Sequence, residues 1–444
     1  MYVGQNLSEI PEPMDALWDV AVVGAGPAGA SAALSALHSR PDARVLLLDR
    51  DDFPRDKACG DGIAPHALDV LASVGVVGIE AGYAGVDRLR IGFASGPAVD
   101  GVMARAAYVI PREVFDARLV HAAVERGAEL RRHRVRTVTA AAAGGHLLLD
   151  GDIRARVVIA ADGGSSVIRR EQAPPRVRAT TWPPNWPLPW RFTSKPPGFG
   201  DTHRAVAIRG YAPVAADRAG EQVIVFADPN HGVQSRRGHG HAPFRDGRSG
   251  GGRRSTTDGR PGWPAYAWSF PIGDGRANVG YGELLCPGRP LTRDHLLGRL
   301  EELMPGSGLD AQSWRAHLLP LSTGRPRQPD GRILFAGDAM NLINPITGEG
   351  IFYAVASGVL AGRAAIGEAD PGRAYRVKLG RALGGHFRHT DAATLLARSP
   401  AVVAAAVQAA DRTPVVFDDL VELGLGAGKL TPSALGSIAA ALLR

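Results

Sequence analysis

The run Asp19-Val-Ala-Val-Val-Gly24 is apolar without alternation and ends on glycine, the pattern of a strand buried on both faces of a parallel sheet. Ala28–His38 (AGASAALSALH) is helix-prone and rich in small residues, and Arg44-Val-Leu-Leu-Leu-Asp49 is a second buried strand. The three make a βαβ unit. Similar patterning predicts a helix over Glu113–Leu130, a core strand at Val157-Val-Ile-Ala-Ala-Asp162, and an apolar run Arg332–Ala336 that turns at Gly337 into a helix reaching about Ala364. Between Pro174 and Pro320 the runs become short and alternating, as in Ala205–Tyr211 and Gln222–Phe226, which predicts antiparallel sheet. From Arg373 onward, Ala, Leu and Val repeats broken by Pro400, Pro414 and Pro432 predict a helical tail. The expected fold class is α/β. A Rossmann-like nucleotide-binding domain is assembled from residues 16–90, 108–173 and 325–372, an antiparallel β-rich substrate domain from 91–107 and 174–324, and a helical region from 373–444.

With 444 residues, 45% apolar and 21% charged, the chain has the size and composition of a soluble protein of two or three domains. The net charge of +7 is local: residues 231–260 hold seven Arg and two Asp, a balance of +5 that leaves +2 for the rest. With eight glycines, that segment reads as a solvated insertion. It lacks the interleaved aromatics of a nucleic-acid site, so no nucleic-acid partner is expected. Cys59 and Cys286 are too far apart for a metal-ligand or CxxC spacing, and a reducing cytoplasm is the natural setting. The first residues lack the basic and apolar regions of a signal peptide, and no run reaches the roughly 18 apolar residues of a membrane span. Ser433–Leu443 (SALGSIAAALL) is apolar enough for two readings, a docked terminal helix or a peripheral contact with the inner face of a membrane.

The first strand leads into Gly24-Ala-Gly26-Pro-Ala-Gly29, a GxGxxG turn that opens a helix. Gly24 makes the tight turn, Gly26 lets backbone approach a pyrophosphate, and Gly29 permits close helix–strand packing. The pyrophosphate would rest on the helix N-terminus. Asp49, twenty residues after Gly29, is placed for a ribose hydroxyl, with Arg50 beside it on the cofactor path. About 300 residues later comes a second cradle, GDAMNLINPITGEG from Gly337 to Gly350. Two distant cradles suggest one long cofactor gripped at both ends.

With Ala161-Asp162-Gly163-Gly-Ser-Ser-Val-Ile-Arg169 after its strand and Gly337-Asp338 after another, the chain resembles the p-hydroxybenzoate hydroxylase superfamily, which has a glutathione-reductase-type FAD fold. The resemblance implies FAD. It gives Asp162 and Gly163 to the second cofactor motif, Asp338 to the ribityl chain, and Pro345, Gly348 and Gly350 to the backbone along the flavin ring. Arg112 matches an arginine on the FAD side, although as a lone residue it also reads as a surface charge at a helix start. Phe53-Pro-Arg-Asp-Lys57-Ala-Cys59-Gly60-Asp-Gly-Ile63 and Pro264-Ala-Tyr266-Ala-Trp268-Ser-Phe270-Pro271 resemble the Lys-x-Cys-Gly-x-Gly loop and the Tyr-x-Trp-x-Phe-Pro motif of the geranylgeranyl reductase family. Lys57 and Gly60 then join the cofactor contacts, and Cys59, Tyr266 and Trp268 become the candidate catalytic residues.

On a strand, Tyr266, Trp268 and Phe270 share one face. They read as an apolar channel for an isoprenoid or polyketide chain, as core packing, or as both. Trp182, Trp186 and Trp190, in a proline-rich stretch, read equally as a pocket roof or a packed loop. Cys59 is a proton donor or a packing residue, and nearby Arg55 and Lys57 would favour its thiolate. Gly424-Leu-Gly-Ala-Gly-Lys-Leu430 resembles a phosphate loop, but its spacing is wrong and Leu430 replaces the Ser or Thr. No metal is expected, and without a second GxGxxG unit NAD(P)H would visit only transiently. The leading expectation is an FAD-dependent oxidoreductase that reduces carbon–carbon double bonds of an apolar small molecule. The alternatives are a flavin monooxygenase, a halogenase, and a cyclase or scaffold in which FAD is structural.

Overall fold

The computed structural model describes residues 17–141, 144–172, 203–214, 216–227, 262–285, 291–308 and 310–444. Cys286, the three tryptophans at 182, 186 and 190, and the 231–260 insertion lie outside the described residues. Two sheets carry the fold. The first has the order Glu129–Arg132, Val45–Asp49, Leu17–Val23, Ile153–Ala160, Leu147–Leu149, Val138–Ala140, with Ile333–Phe335 also paired to Ile153–Ala160. Its centre is parallel: Val20 pairs with Val45, and both Val23 and Phe335 pair with Ala160. Helices Pro27–Ser39 and Ile351–Gly367 pack on this sheet and on each other. A Cβ on Gly358 would lie 2.2 Å from the Ala28 carbonyl oxygen, and one on Gly362 would lie 2.2 Å from that of Ala32. Only glycine permits so close an approach.

The predicted helix Glu113–Leu130 is shorter than its pattern implied. It runs Arg112–Glu125 and stops at Gly127, whose φ is 102°. Glu129–Arg132 then forms an edge strand parallel to Val45–Asp49. Its sequence, ELRR, lacks the apolar run that marks buried strands, because it is buried on neither face.

The second sheet has the order Gln312–Pro320, Arg204–Pro213, Arg276–Leu284, Ala265–Pro271, Glu221–Phe226, Val86–Phe93, Ala98–Val109, Gly62–Ile63. It is antiparallel apart from one pair, Glu221–Phe226 with Val86–Phe93. Val86–Phe93 belongs wholly to this sheet, so the segment expected over 91–107 begins at residue 86, after the short strand Gly62–Ile63 has already joined the sheet edge. Trp268 lies opposite Gly280, where a Cβ would stand 2.3 Å from the indole.

The C-terminal helices Pro400–Arg412, Pro414–Leu425 and Pro432–Leu442 each begin at a proline, which costs no hydrogen bond in a first turn. They do not form a separate region. Val416, Phe417, Ala405 and Ile438 share a core with Leu89, Val99 and Met103 of the second sheet. A Cβ at Gly101 would lie 2.2 Å from the Phe417 ring. Among the described residues no single helix is long and apolar enough to cross a membrane. Phe417→Ala is expected to destabilise the protein by about 3–5 kcal/mol through the void it leaves. An unchanged thermal midpoint would show that the C-terminal helices are held some other way.

Candidate active site

A cavity of about 870 Å³ opens between the two sheets and the C-terminal helices. At one end is the Gly24–Gly29 turn. Gly24 has φ 98°, and a Cβ on Gly29 would lie 1.7 Å from the Gly24 carbonyl oxygen. Helix Pro27–Ser39 has neither a side-chain cap nor an acid in its first turn, so its terminal amides remain available to an anion. Facing them, a Cβ at Gly26 would stand 3.5 Å from the Arg55 guanidinium and 3.8 Å from that of Arg112. Arg112 is buried, which removes its reading as a surface charge. Its forked contacts with Asp116, 2.6 and 2.7 Å long, fix the guanidinium. Arg55 lies 3.3 Å from Asp116 and 3.7 Å from Asp49, and its buried Nε has no partner. Asp49 accepts the Ala25 and Asp51 amides, one on each oxygen, at 2.7 and 3.0 Å. Each oxygen keeps a lone pair for a hydroxyl. Arg50 sits on the rim, mostly exposed and paired with Asp51 at 3.2 Å.

The second and third cofactor motifs meet at mid-cavity. Asp162 accepts the Val167 amide at 2.8 Å through Oδ2, while Oδ1 is buried and without a partner. Burial pushes this carboxyl up. Gly163 turns the chain at φ 80°. Arg169 ties this segment to the Gly337–Met340 turn, donating to the Ala339 carbonyl at 2.5 Å and to Asn341 Oδ1 at 2.7 Å. Gly337 takes φ 58°, and its amide donates to Ser357 Oγ at 2.9 Å. Asp338 pairs with Lys57 at 3.3 Å. Burial works against its charge, but Lys57 and His317 prevail and hold it below the usual carboxylate range.

The loop Asn344–Gly350 is shaped by its own side chains and clamped from outside. Asn344 accepts the Ile346 amide at 2.9 Å and donates to the Tyr353 hydroxyl and the Leu423 carbonyl, each at 3.0 Å. Thr347 donates to the Gly424 carbonyl at 2.8 Å, and His386 bridges the Tyr353 hydroxyl to the Gly428 carbonyl. The glycine-rich segment that resembles a phosphate loop is therefore a clamp on this loop. Pro345 lines the cavity, and Gly348, at φ 71°, turns against the Tyr266 hydroxyl, which a Cβ would approach to 3.0 Å. Tyr266 donates to the Thr347 carbonyl. Gly350 precedes helix Ile351–Gly367, and Glu349 accepts the Phe352 amide at 2.8 Å. Burial pushes the Glu349 carboxyl up to about 7.

Tyr266, Trp268 and Phe270 form a ladder with ring centroids 6.0 and 6.4 Å apart, and all three line the cavity. Gly60 lies against it: a Cβ there would touch Phe270 at 3.4 Å. Leu89, Ile91 and Ile224 extend the apolar wall, and Leu420, Val421 and Leu425 of helix Pro414–Leu425 close it. Those last three had no sequence signal beyond an amphipathic helix. Cys59 lines the same space, half-buried. The expected thiolate is corrected here. Arg55 and Lys57 are engaged by carboxylates elsewhere, and burial pushes the Cys59 thiol up, outweighing the nearby Arg112.

A family model described as an FAD binding domain matches residues 18–182. A menaquinone reductase of Mycolicibacterium smegmatis is 30% identical over 77% of this chain and 75% of its own length. A digeranylgeranylglycerophospholipid reductase of Methanopyrus kandleri is 30% identical over 79% of this chain and 80% of its own. The fold matches that of a geranylgeranyl bacteriochlorophyll reductase-like protein from Thermoplasma acidophilum, with TM-score 0.65, 20% identity, and 95% and 96% of the two chains covered. The chain belongs to the geranylgeranyl reductase family. It is an FAD-dependent oxidoreductase.

The site fits that cofactor. An uncapped helix end and an unpartnered guanidinium Nε suit a diphosphate, and the Asp49 lone pairs and buried Asp162 Oδ1 suit hydroxyls. Asp338→Ala is expected to lower flavin retention after gel filtration, read as the 450-to-280 nm absorbance ratio. Full occupancy would remove Asp338 from the cofactor site. Glu349 supplies a pH test. Its folded value, about 7, is above the ordinary 4.5, so its charging destabilises the apoprotein as pH rises through that interval. Glu349→Gln should therefore raise the apoprotein melting temperature more at pH 8 than at pH 5.

Proposed function

We propose that this enzyme reduces carbon–carbon double bonds in an apolar, isoprenoid-like or polyketide-like chain. The observation that carries the reading is the placement of Cys59, whose thiol is pushed up by burial, on the same cavity as the Gly348–Gly350 loop and the aromatic wall. Reduced FAD, when bound, supplies a hydride to one alkene carbon, and NAD(P)H visiting transiently is the proposed source of its electrons. The chain's own residues do the rest. Tyr266, Trp268 and Phe270 hold the substrate chain flat against the wall, and Leu420, Val421 and Leu425 exclude water behind it. Cys59 donates the proton to the second alkene carbon.

A monooxygenase would use the same scaffold. It would need no acid beside the aromatic wall, and this favours the reductase. The relatives are named as reductases of menaquinone and of digeranylgeranylglycerophospholipid, and these lipids are the first probes. The chemically reduced enzyme, incubated anaerobically with either lipid, is expected to give a product two hydrogens heavier. No product without oxygen, and one added oxygen atom with it, would overturn the reading. Cys59→Ser should lower turnover by about 10²-fold or more, the ordinary contribution of a positioned acid, while leaving flavin occupancy unchanged.

A further inference from the structure

Asp61 lies two residues beyond Cys59, in the middle of the Cys-Gly-Asp-Gly turn, and its side chain is completely buried. Its backbone is in the left-handed region, φ 60°, where a non-glycine residue needs a reason. Its carbonyl accepts the Ile110 amide at 2.9 Å, which holds the turn on the strand Ala98–Val109. The carboxylate is tied to the second sheet. Oδ2 accepts the Tyr211 hydroxyl at 2.6 Å and the Asn278 side-chain amide at 2.8 Å. The same amide also donates to the Cys59 carbonyl at 2.8 Å, and the Asn278 oxygen accepts the Trp268 indole N–H at 2.9 Å. One buried asparagine thus joins the Cys59 backbone, the Asp61 carboxylate and the central ring of the aromatic wall. Oδ1 is buried and unpartnered. A buried carboxylate oxygen left without a partner is costly and calls for a compensating role.

We propose that Asp61 is the positioning residue for Cys59: it locks the thiol-bearing turn to the aromatic wall, and its negative charge keeps the neighbouring thiol an acid. The inference rests on the reading of Cys59 as the proton donor. Burial raises the thiol; Arg112, from the first domain, and the Asp61 backbone amide draw it toward thiolate, while the Asp61 and Glu349 carboxylates oppose them. Asp61 in turn faces Tyr211 and Arg209 from the strand Arg204–Pro213, and Arg112 from the other side. Tyr83 also lies within its field. Without Asp61, the buried Arg112 would have only Glu349 working with burial against it. Burial pushes Asp61 itself up to about 6, against the pull of Tyr211, so its charge is present at neutral pH and absent in mild acid.

The test is a thiol titration that needs no turnover, so its outcome is independent of whether the enzyme reduces alkenes. In a Cys286→Ser background, the rate of Cys59 alkylation by iodoacetamide is followed from pH 5 to pH 9 in FAD-loaded protein, with Asp61 intact or replaced by Asn. Asp61→Asn is expected to alkylate faster by about tenfold at pH 8, the change in thiolate fraction made by one unit in the thiol pKa. The ratio of the two rates should fall toward one below about pH 6, where Asp61 is neutral in both proteins. A ratio that stays high at pH 5 would mean the turn has merely loosened, and a ratio of one throughout would mean the charge does not reach the thiol. Either result overturns the proposal. Tyr211→Phe removes one hydrogen bond from the same carboxylate but no charge. It should move the midpoint of the ratio to higher pH without abolishing it, and a Tyr211→Phe profile identical to that of the intact chain would likewise count against the network.

Discussion

Everything at the active site depends on how closely helix Pro27–Ser39 approaches helix Ile351–Gly367. Ala28 is the point of contact: its carbonyl faces Gly358, and its methyl group would be 2.9 Å from a Cβ on Gly337. Two glycines more than 300 residues further along the chain are therefore required by one alanine in the first turn of the first helix. Bring the helices apart by the width of a methyl group and the two ligand cradles no longer address the same molecule. Ser35, which donates to the Val359 carbonyl at 2.8 Å, sets the rotation of the pair as well as its separation. Dispersion contacts are individually small and fall off steeply with distance, so this interface tolerates little expansion.

That contact also determines where buried charge can be placed. Asp49, Asp116, Arg55 and Arg112 form a cluster of two carboxylates and two guanidinium groups around the glycine turn, and Lys57 with Asp338 forms a second pair further in. Buried ion pairs gain little over apolar packing, because desolvation offsets most of the attraction. Their value here is geometric. A guanidinium held by two oxygens cannot turn away from the helix end, and a carboxylate paired to a lysine stays ionised and ready to accept a hydroxyl. The protein has already met the cost of desolvation when the cofactor arrives.

What the sequence shows of this arrangement is the part carried by local pattern. The βαβ unit, the glycine turns, the Asp338 motif and the aromatic strand are each written within a dozen residues, and period two alone puts Tyr266, Trp268 and Phe270 on one face. The unreadable parts are those made by distance. Asp61 and Asn278 are 217 residues apart and meet through a single amide hydrogen. Neither residue has a neighbour that announces the meeting. The strand Glu129–Arg132 was hidden by its polarity, since an edge strand has no need of an apolar run. Along the chain Arg55 and Lys57 are the nearest charges to Cys59, but in the fold both pair with carboxylates contributed by other segments.

The C-terminal helices carry the same lesson into function. Helix Pro414–Leu425 is fixed at three points: Phe417 over Gly101, Glu422 to His66 at 2.9 Å, and Gly424 to Thr347. The first lies on the second sheet, the second on helix Pro65–Ala72, and the third on the loop expected along the flavin ring. A helix pinned to all three cannot shift without disturbing each of them, and it carries Leu420, Val421 and Leu425 into the cavity. Its position therefore couples the depth of the apolar pocket to the placement of the Gly348–Gly350 backbone. A substrate chain long enough to push against this helix would press, through Thr347, on the same loop that Tyr266 touches. Movement of helix Pro414–Leu425 would thus reach the Asn344–Gly350 loop and Tyr266 through a single residue, Thr347.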